Sequence, residues 1–366
     1  LSTDTVRAVE AASLARLQDA VRAAVADRRP LRLRGSGSKD FYGGPLSGEV
    51  LDTAAHAGIV SYEPTELVLT ARCGTRLEEI EALLAENGQM LAFEPPRFGP
   101  DATLGGCVAA GLSGPRRASN GLYFGAVRDF VLGCRLLDGR AQVLRFGGEV
   151  MKNVAGYDVS RMMAGAMGTL GLILEVSMKV LPKPAATATI RLAMPEPEVL
   201  DKLNEWGGRP LPLSASAWSG GVLHVRLEGA KAAVDAALAL LGGERMEAEP
   251  AAALWGGIRE QTDAFFSSSR ALWRASVPSV TPPLELEGDQ LIEWGGALRW
   301  LRTDADPERV RELVRDAGGH ATAFRNLDRE RCFEPLAPAQ LTLHRRLKSA
   351  FDPEGIFNPR RLCPHF

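Results

Sequence analysis

Residues 151–171 read "MKNVAGYDVSRMMAGAMGTLG" and place four glycines between two strand-like runs, "AQVLRF" and "LILEVSMKV". Glycine loses more backbone freedom on folding than any other residue, so this density needs a reason. Two readings are open. One is a turn followed by an ordinary short helix, with Asp158 as N-cap and Gly168 as stop. The other is a backbone surface lying against a large ligand, with the charged Lys152 and Asp158 beside it.

Two further segments share this texture, "RGSGSK" (34–39) and "DATLGGCVAAGLSG" (101–114). Small residues let backbone N–H groups approach an anion, and a nest of them binds phosphate oxygens. Ser36, Ser38 and Lys39 add two hydroxyls and a cation. Taken alone, "RGSGSK" is equally an ordinary turn. It fits neither G-x-G-x-x-G nor the Walker pattern, so Rossmann and P-loop readings fail.

The 366 residues suit two domains, and 45% apolar content suits a globular protein. A net charge of −2 gives no basis for a nucleic-acid partner. No run of about 18 apolar residues predicts a transmembrane helix, and the first residues carry no signal-peptide pattern. Cys73, Cys107, Cys134, Cys332 and Cys363 are scattered, without the spacing of a zinc or iron–sulfur site. Free thiols are expected.

Periodicity predicts a helix over 10–27, with Leu14, Leu17, Val21 and Val25 on one face. "PLRLR" and "ELVLTARCGT" read as strands and "RLEEIEALLAENGQ" as a helix. "VRDFVLGCRLLDG" and "AQVLRFGG" read as a hairpin around Asp138-Gly139. "YDVSRMMAGAMG" reads as a helix and "TLGLILEVSMKV" as a strand ending at "LPKP". Beyond that pair of prolines the texture changes, and all six tryptophans lie between Trp206 and Trp300. "ATATIRLAM", "SASAWSGG", "VLHVRLEG", "RALWRASVP" and "LIEWGGALRWLR" read as strands. "EPEVLDKLNEWG", "AKAAVDAALALLGG" and "DPERVRELVRDAGG" read as helices. This order predicts a ferredoxin-like sheet with helices on one face.

The ordered set "PLRLRGSGSKDFYGG", "PTELVLTARCGT", "GPDATLGGCVAAGLSGPRR" and "GYDVSRMMAGAMGTLGLILEVSMKVLP", closing on "LKSAFDPEGIFNPRR", resembles the vanillyl-alcohol-oxidase (PCMH-type) FAD family. "FEPPRFG", "RFGGEVMKNVAGYD", "LIEWGGALRWL" and "GGHATAFR" extend the resemblance, over nearly the whole chain, to the E-subunit family of bacterial glycolate oxidases. It implies an α+β fold: a PCMH-type FAD-binding domain over 1–183, a ferredoxin-like cap over 184–340, and a C-terminal segment, 341–366, returning to the first domain.

The resemblance also implies site residues. Gly35, Ser36, Gly37, Ser38 and Lys39 match the loop around the FAD diphosphate. Thr103, Gly105 and Gly106 match residues near diphosphate and flavin. Ala109, Ala110, Gly111, Ser113 and Gly114 match the run along isoalloxazine and adenosine. Gly168, Gly171 and Ile173 match the backbone that meets the ring. The first loop has no histidine for covalent attachment, so non-covalent FAD is expected. The histidine-rich cap motifs of D-type subunits are missing, and His320 stands alone as a structural histidine. Arg274 and Arg299 are the candidate carboxylate binders of the cap; the alternative is that they snorkel to solvent.

The expected function is that of an FAD subunit in a complex oxidising glycolate or a similar 2-hydroxyacid. Its partners would be an FAD-containing D-type subunit and an iron–sulfur F-type subunit. A non-catalytic assembly or electron-relay flavin subunit, and a stand-alone oxidase of sugars or lactones, are the alternatives. The cytoplasm is the expected compartment, with peripheral contact at the inner membrane made through the complex.

Overall fold

Leu17 and Val21 recur at helical spacing and are fully buried on α1 (Thr3–Ala26), with Leu14 and Val25 packed beside them. The computed structural model describes residues 3–116, 125–149 and 158–366. β1 (Leu31–Arg34) pairs in parallel with β2 (Glu49–Asp52). An antiparallel sheet follows, built from β3 (Ile59–Glu63), β4 (Val68–Arg72), β5 (Val131–Leu137), β6 (Val143–Gly147) and β7 (Leu172–Lys179) in the order β3-β4-β7-β5-β6. Burial follows position. Every residue of the interior strand β4 is buried, whereas β6 at the edge exposes alternate residues. α2 (Leu77–Glu86) and α3 (Leu104–Ala110) pack with α1 into this core, and Ile356 and Phe357 rejoin it from the far end of the chain.

The second sheet has eight strands: β8 (Ala186–Ala193), β9 (Leu213–Ser219), β10 (Val222–Gly229), β11 (Glu244–Arg245), β12 (Leu272–Ser276), β13 (Asp289–Glu293), β14 (Leu298–Arg302) and β15 (His320–Arg325). They run antiparallel in the order β11-β8-β10-β9-β13-β14-β12-β15. The helices α4 (Glu196–Gly207), α5 (Lys231–Leu241) and, further along the chain, Pro307–Asp316 cover one face, where two apolar clusters form. The opposite face carries Ala215, Ala217, Leu291, Trp300 and Phe324. It packs on Tyr42, Ala110, Leu112 and Met167 from the first half of the chain.

Two sequence expectations change, and two elements arise that the periodicity does not announce. "LIEWGGALRWLR" is two strands, because Trp294, Gly295 and Gly296 turn the chain with φ of 53°, 64° and 100°. "GGHATAFR" supplies the edge strand β15. A further helix spans Ala248–Glu260, where a proline and two glycines mask in the sequence a face anchored by the buried Trp255 and Ile258. "YDVSRMMAGAMG" shrinks to one helical turn, Val159–Met162, with Asp158 capping Arg161 N. Gly165, Met167 and Gly168 have φ of 84°, 53° and 71°, which an α-helix cannot continue through. Instead the amides of Gly165 and Met167 bond to the carbonyls of Val108 and Ala109. The quoted residues 151–157, Lys152 among them, and residues 117–124 lie outside the described residues.

Candidate functional site

The three glycine segments meet. β1 runs into the loop 35–40, α3 starts after Thr103, and the turn at Met167–Gly171 leads into β7. They wall a cleft of about 900 Å3, part of it open to solvent. Gly35, Ser36, Gly37, Ser38, Lys39, Thr103, Gly105, Gly106, Ala109, Ala110, Gly168, Gly171 and Ile173 all line it. Gly111, Ser113 and Gly114 do not. Gly111 ends α3 in the left-handed region, where a Cβ would lie 2.8 Å from Gly165 N. Gly114 donates to Phe93 O, and its carbonyl accepts Trp294 Nε1 at 3.0 Å, tying this run to the second sheet.

Backbone contact explains the glycines. A Cβ on Gly35 would sit 2.3 Å from Thr103 Oγ1, and one on Gly105 would sit 2.6 Å from Cys73 Cβ. Ser38 N is satisfied by Ser36 Oγ at 3.3 Å. The amides of Gly35, Ser36, Gly37 and Lys39 donate to no acceptor among the described residues. Four unengaged N–H groups on one short loop that lines the cleft are donors open to an anion or to water.

Lys39 lines the cleft, but its ammonium is turned to Arg97 O at 3.2 Å and Ser38 Oγ at 3.5 Å. Burial pulls its pKa down, against the pull of Cys107 and Glu260. Its part in the site is therefore to pin the loop. Burial pushes the Cys73 thiol in the cleft wall up to about 12, which keeps it protonated and unreactive.

The far end of the chain supplies residues the sequence did not single out. Asn358 and Arg361 line the same cleft. Arg361 donates to the carbonyls of Lys39 and Asp40 at 3.2 Å each, and to that of Gly44. Burial first, then Arg329, brings its pKa down to about 10. Lys348 and Asp352 pair at 2.6 Å, and Lys348 also donates to Thr169 O and Phe357 O at 2.8 Å. The resemblance carried by "LKSAFDPEGIFNPRR" implies a return of the tail, but not which atoms it holds.

In the second sheet Arg274 and Arg299 part company. Arg299 is fully buried and spends its fork on Gly296 O and Thr281 O, with Glu196 at 3.6 Å. It braces a turn and does not snorkel. Arg274 lies on the face turned to the first half of the chain. It is stacked over Trp294 and Trp300 with centroid distances of 5.1 and 5.9 Å, and it has no hydrogen bond or ion pair among the described residues. His320 is exposed at the start of β15.

Free loop amides, glycine walls and the apolar lining from Ala109, Ala110, Met167 and Ile173 are of the chemistry that a diphosphate and a flat ring system need. Comparisons with known proteins agree. Residues 6–147 match the FAD binding domain model and residues 329–362 the C-terminal domain model of FAD linked oxidases. The solved structure of p-cresol methylhydroxylase with substrate bound superposes with a TM-score of 0.70 over 96% of this chain and 88% of that one, at 14% identity, a likeness of fold. GlcD, a glycolate oxidase subunit of Bacillus subtilis (strain 168), is 32% identical over 44% of this chain and 34% of its own. The glycolate oxidase subunit GlcE of Escherichia coli (strain K12) is 49% identical over 94% of this chain and 96% of its own. The chain thus carries an FAD-binding domain and belongs to the GlcE family of glycolate oxidase subunits, within the FAD-linked oxidases.

Proposed function

We propose that this chain is the flavin-holding subunit of an assembly that oxidises glycolate, or a similarly small 2-hydroxyacid, to the 2-oxoacid. The observation that carries the reading is the set of four unengaged amides on the loop 35–39 at the mouth of the cleft. They would hold the diphosphate, while Gly105, Gly106, Ala109, Gly168, Gly171 and Ile173 would lie along the rest of the cofactor. FAD supplies the two-electron redox chemistry when bound, and the protein binds, orients and shields it. Among the described residues no histidine lines the cleft and its one cysteine is a buried neutral thiol, which supports non-covalent binding. The domain division at about residue 183 follows the change from the five-stranded to the eight-stranded sheet.

Arg274 would hold the substrate carboxylate. A guanidinium stacked over two indoles, with no hydrogen bond or ion pair from its side chain among the described residues, is suited to that task. The electrons would leave through an iron–sulfur subunit, alongside a D-type flavin subunit.

A second reading is a flavin subunit that assembles the complex or relays electrons, without oxidising substrate itself. The exposed position of His320, away from the cleft, favours it, because that histidine is then no acid–base group. One experiment separates the two. The chain is purified, acid precipitation is used to test for release of free FAD, and glycolate is added anaerobically to the intact protein. Bleaching of the yellow flavin supports the first reading. Bound flavin that glycolate reduces only when the partner subunits are added supports the second. A chain that cannot be reconstituted with FAD overturns both.

A further inference from the structure

We propose that Glu293 is the proton acceptor of this site, taking the hydroxyl proton of the 2-hydroxyacid whose carboxylate Arg274 holds; the proposal rests on the flavin-subunit reading above. Strand register brings the two residues to one face. Arg274 pairs with Trp300 across β12 and β14, and Trp300 pairs with Leu291 across β14 and β13. Glu293 lies two residues beyond Leu291, so it shares that face. This is the face that packs on Tyr42, Ala110, Leu112 and Met167, and Ala110 and Met167 also line the cofactor cleft.

Trp300 organises both charges. Its ring lies under the Arg274 guanidinium, and its Nε1 donates to Glu293 Oε2 at 2.7 Å. Trp294, the next residue after Glu293, gives Arg274 its other ring. Glu293 is 3% exposed, and its second oxygen, Oε1, is buried without a hydrogen-bond partner among the described residues. Leaving a buried carboxyl oxygen unpaired costs free energy, and folded proteins rarely tolerate it without a use. A hydroxyl donor from substrate would satisfy it.

The charges facing Glu293 are Arg274 from β12, Arg226 from β10 and Glu94 from the first half of the chain; Tyr42 faces Arg274. Burial pushes the Glu293 carboxyl up to about 7, although the Trp300 hydrogen bond and the two arginines pull the other way. An acceptor poised near neutrality is matched to a proton transfer at physiological pH. In the oxidation the substrate O–H bond breaks and its proton goes to Glu293. The hydrogen on C2 leaves with its electron pair to the oxidant, the flavin, and the C–O bond becomes a carbonyl. Glu293 ends neutral, and the proton returns to solvent before the next turnover.

The test uses the full chain with bound FAD, glycolate as probe, and the variants Glu293→Gln and Glu293→Asp. Flavin content reports folding in each. Wild type is expected to be reduced by glycolate at a rate that rises with pH through about 7. Glu293→Gln should be slower by roughly 100-fold or more and lose that pH dependence, while Glu293→Asp recovers part of the rate. Infrared difference spectra across the same pH range, without substrate, should show a buried carboxyl band that wild type titrates and Glu293→Gln lacks. Reduction of Glu293→Gln at a near-wild-type rate with an unchanged pH profile overturns the proposal. So does a wild-type chain that keeps FAD and is not reduced by glycolate, an outcome that leaves the cofactor reading standing. A chain that retains no FAD overturns both.

Discussion

Asn358 reaches back across 325 residues to Leu33: its Oδ1 accepts the Leu33 amide at 2.7 Å. Its Nδ2 donates to Met167 O at 2.6 Å. One side chain thus fastens the strand that leads into the anion loop to the turn that forms the opposite wall. The cleft is closed by a residue from the end of the chain. Asn358→Ala leaves both backbone groups without their partner. We expect a loss of about 1–3 kcal/mol in stability and at least a tenfold rise in the FAD dissociation constant. Urea unfolding and flavin-fluorescence titration measure the two; unchanged FAD affinity counts against a shared hinge.

Gly35→Ala and Gly37→Val should both strip the flavin, for different reasons. The first drives a methyl group into Thr103 Oγ1. The second places a β-branched residue at φ 80° and pushes on the Arg34 guanidinium that pairs with Asp40. Lys39→Ala removes the bonds to Arg97 O and Ser38 Oγ and the contact over Phe98 but leaves the loop backbone in place, so it should weaken FAD binding by about 1–2 kcal/mol. Flavin-to-protein absorbance ratios after desalting rank the three. A Lys39→Ala protein emptier than Gly37→Val would show that the ammonium, not the loop backbone, dominates.

Glu94 and Arg116 from the first half of the chain form a buried cluster with Arg226 and Glu228 of the second sheet. Arg226 reaches Glu94 at 2.9 Å, and Arg116 reaches Glu228 at 3.0 Å. Burial works to raise the Glu94 carboxyl, but Arg226 and Arg116 outweigh it and hold the group below the usual range. Its stabilising contribution is present above the ordinary carboxylate pKa and is lost as pH falls through the lowered one. Glu94→Gln should cost about 3 kcal/mol at neutral pH, because two buried guanidinium groups lose an anion. The cost should shrink toward zero in strong acid. Urea midpoints at neutral and acidic pH check this.

Glu293 has the opposite sign. Its carboxyl is raised to about 7, so its stabilising contribution is full below about 4.5 and is lost as pH rises through 7. Glu293→Gln should match wild type in stability near pH 5 and exceed it by about 2 kcal/mol near pH 8. A variant that is less stable at both values would mean that the ionised carboxylate is held by its arginines more strongly than burial opposes it.

The sequence determined the local features that depend on spacing alone. The face of α1, the buried strands β4 and β7, the absence of a Rossmann signature and three glycine loops in order are all set by residues within a few positions of one another. The family resemblance that these motifs carry named 13 of the 27 residues that line the cleft, from Gly35 to Ile173. The helix at Val159 is shorter than its sequence suggests, because side-chain propensity does not report that Gly165, Met167 and Gly168 adopt left-handed conformations to meet α3. Arg274 and Arg299 looked alike in sequence, and only strand register put one against the first half of the chain and sealed the other in a turn. Asn358, Arg361 and Glu293 required the tertiary structure for the same reason. Their roles come from hydrogen bonds and burial between segments far apart in the chain, and a contact that long leaves no period or motif along the sequence.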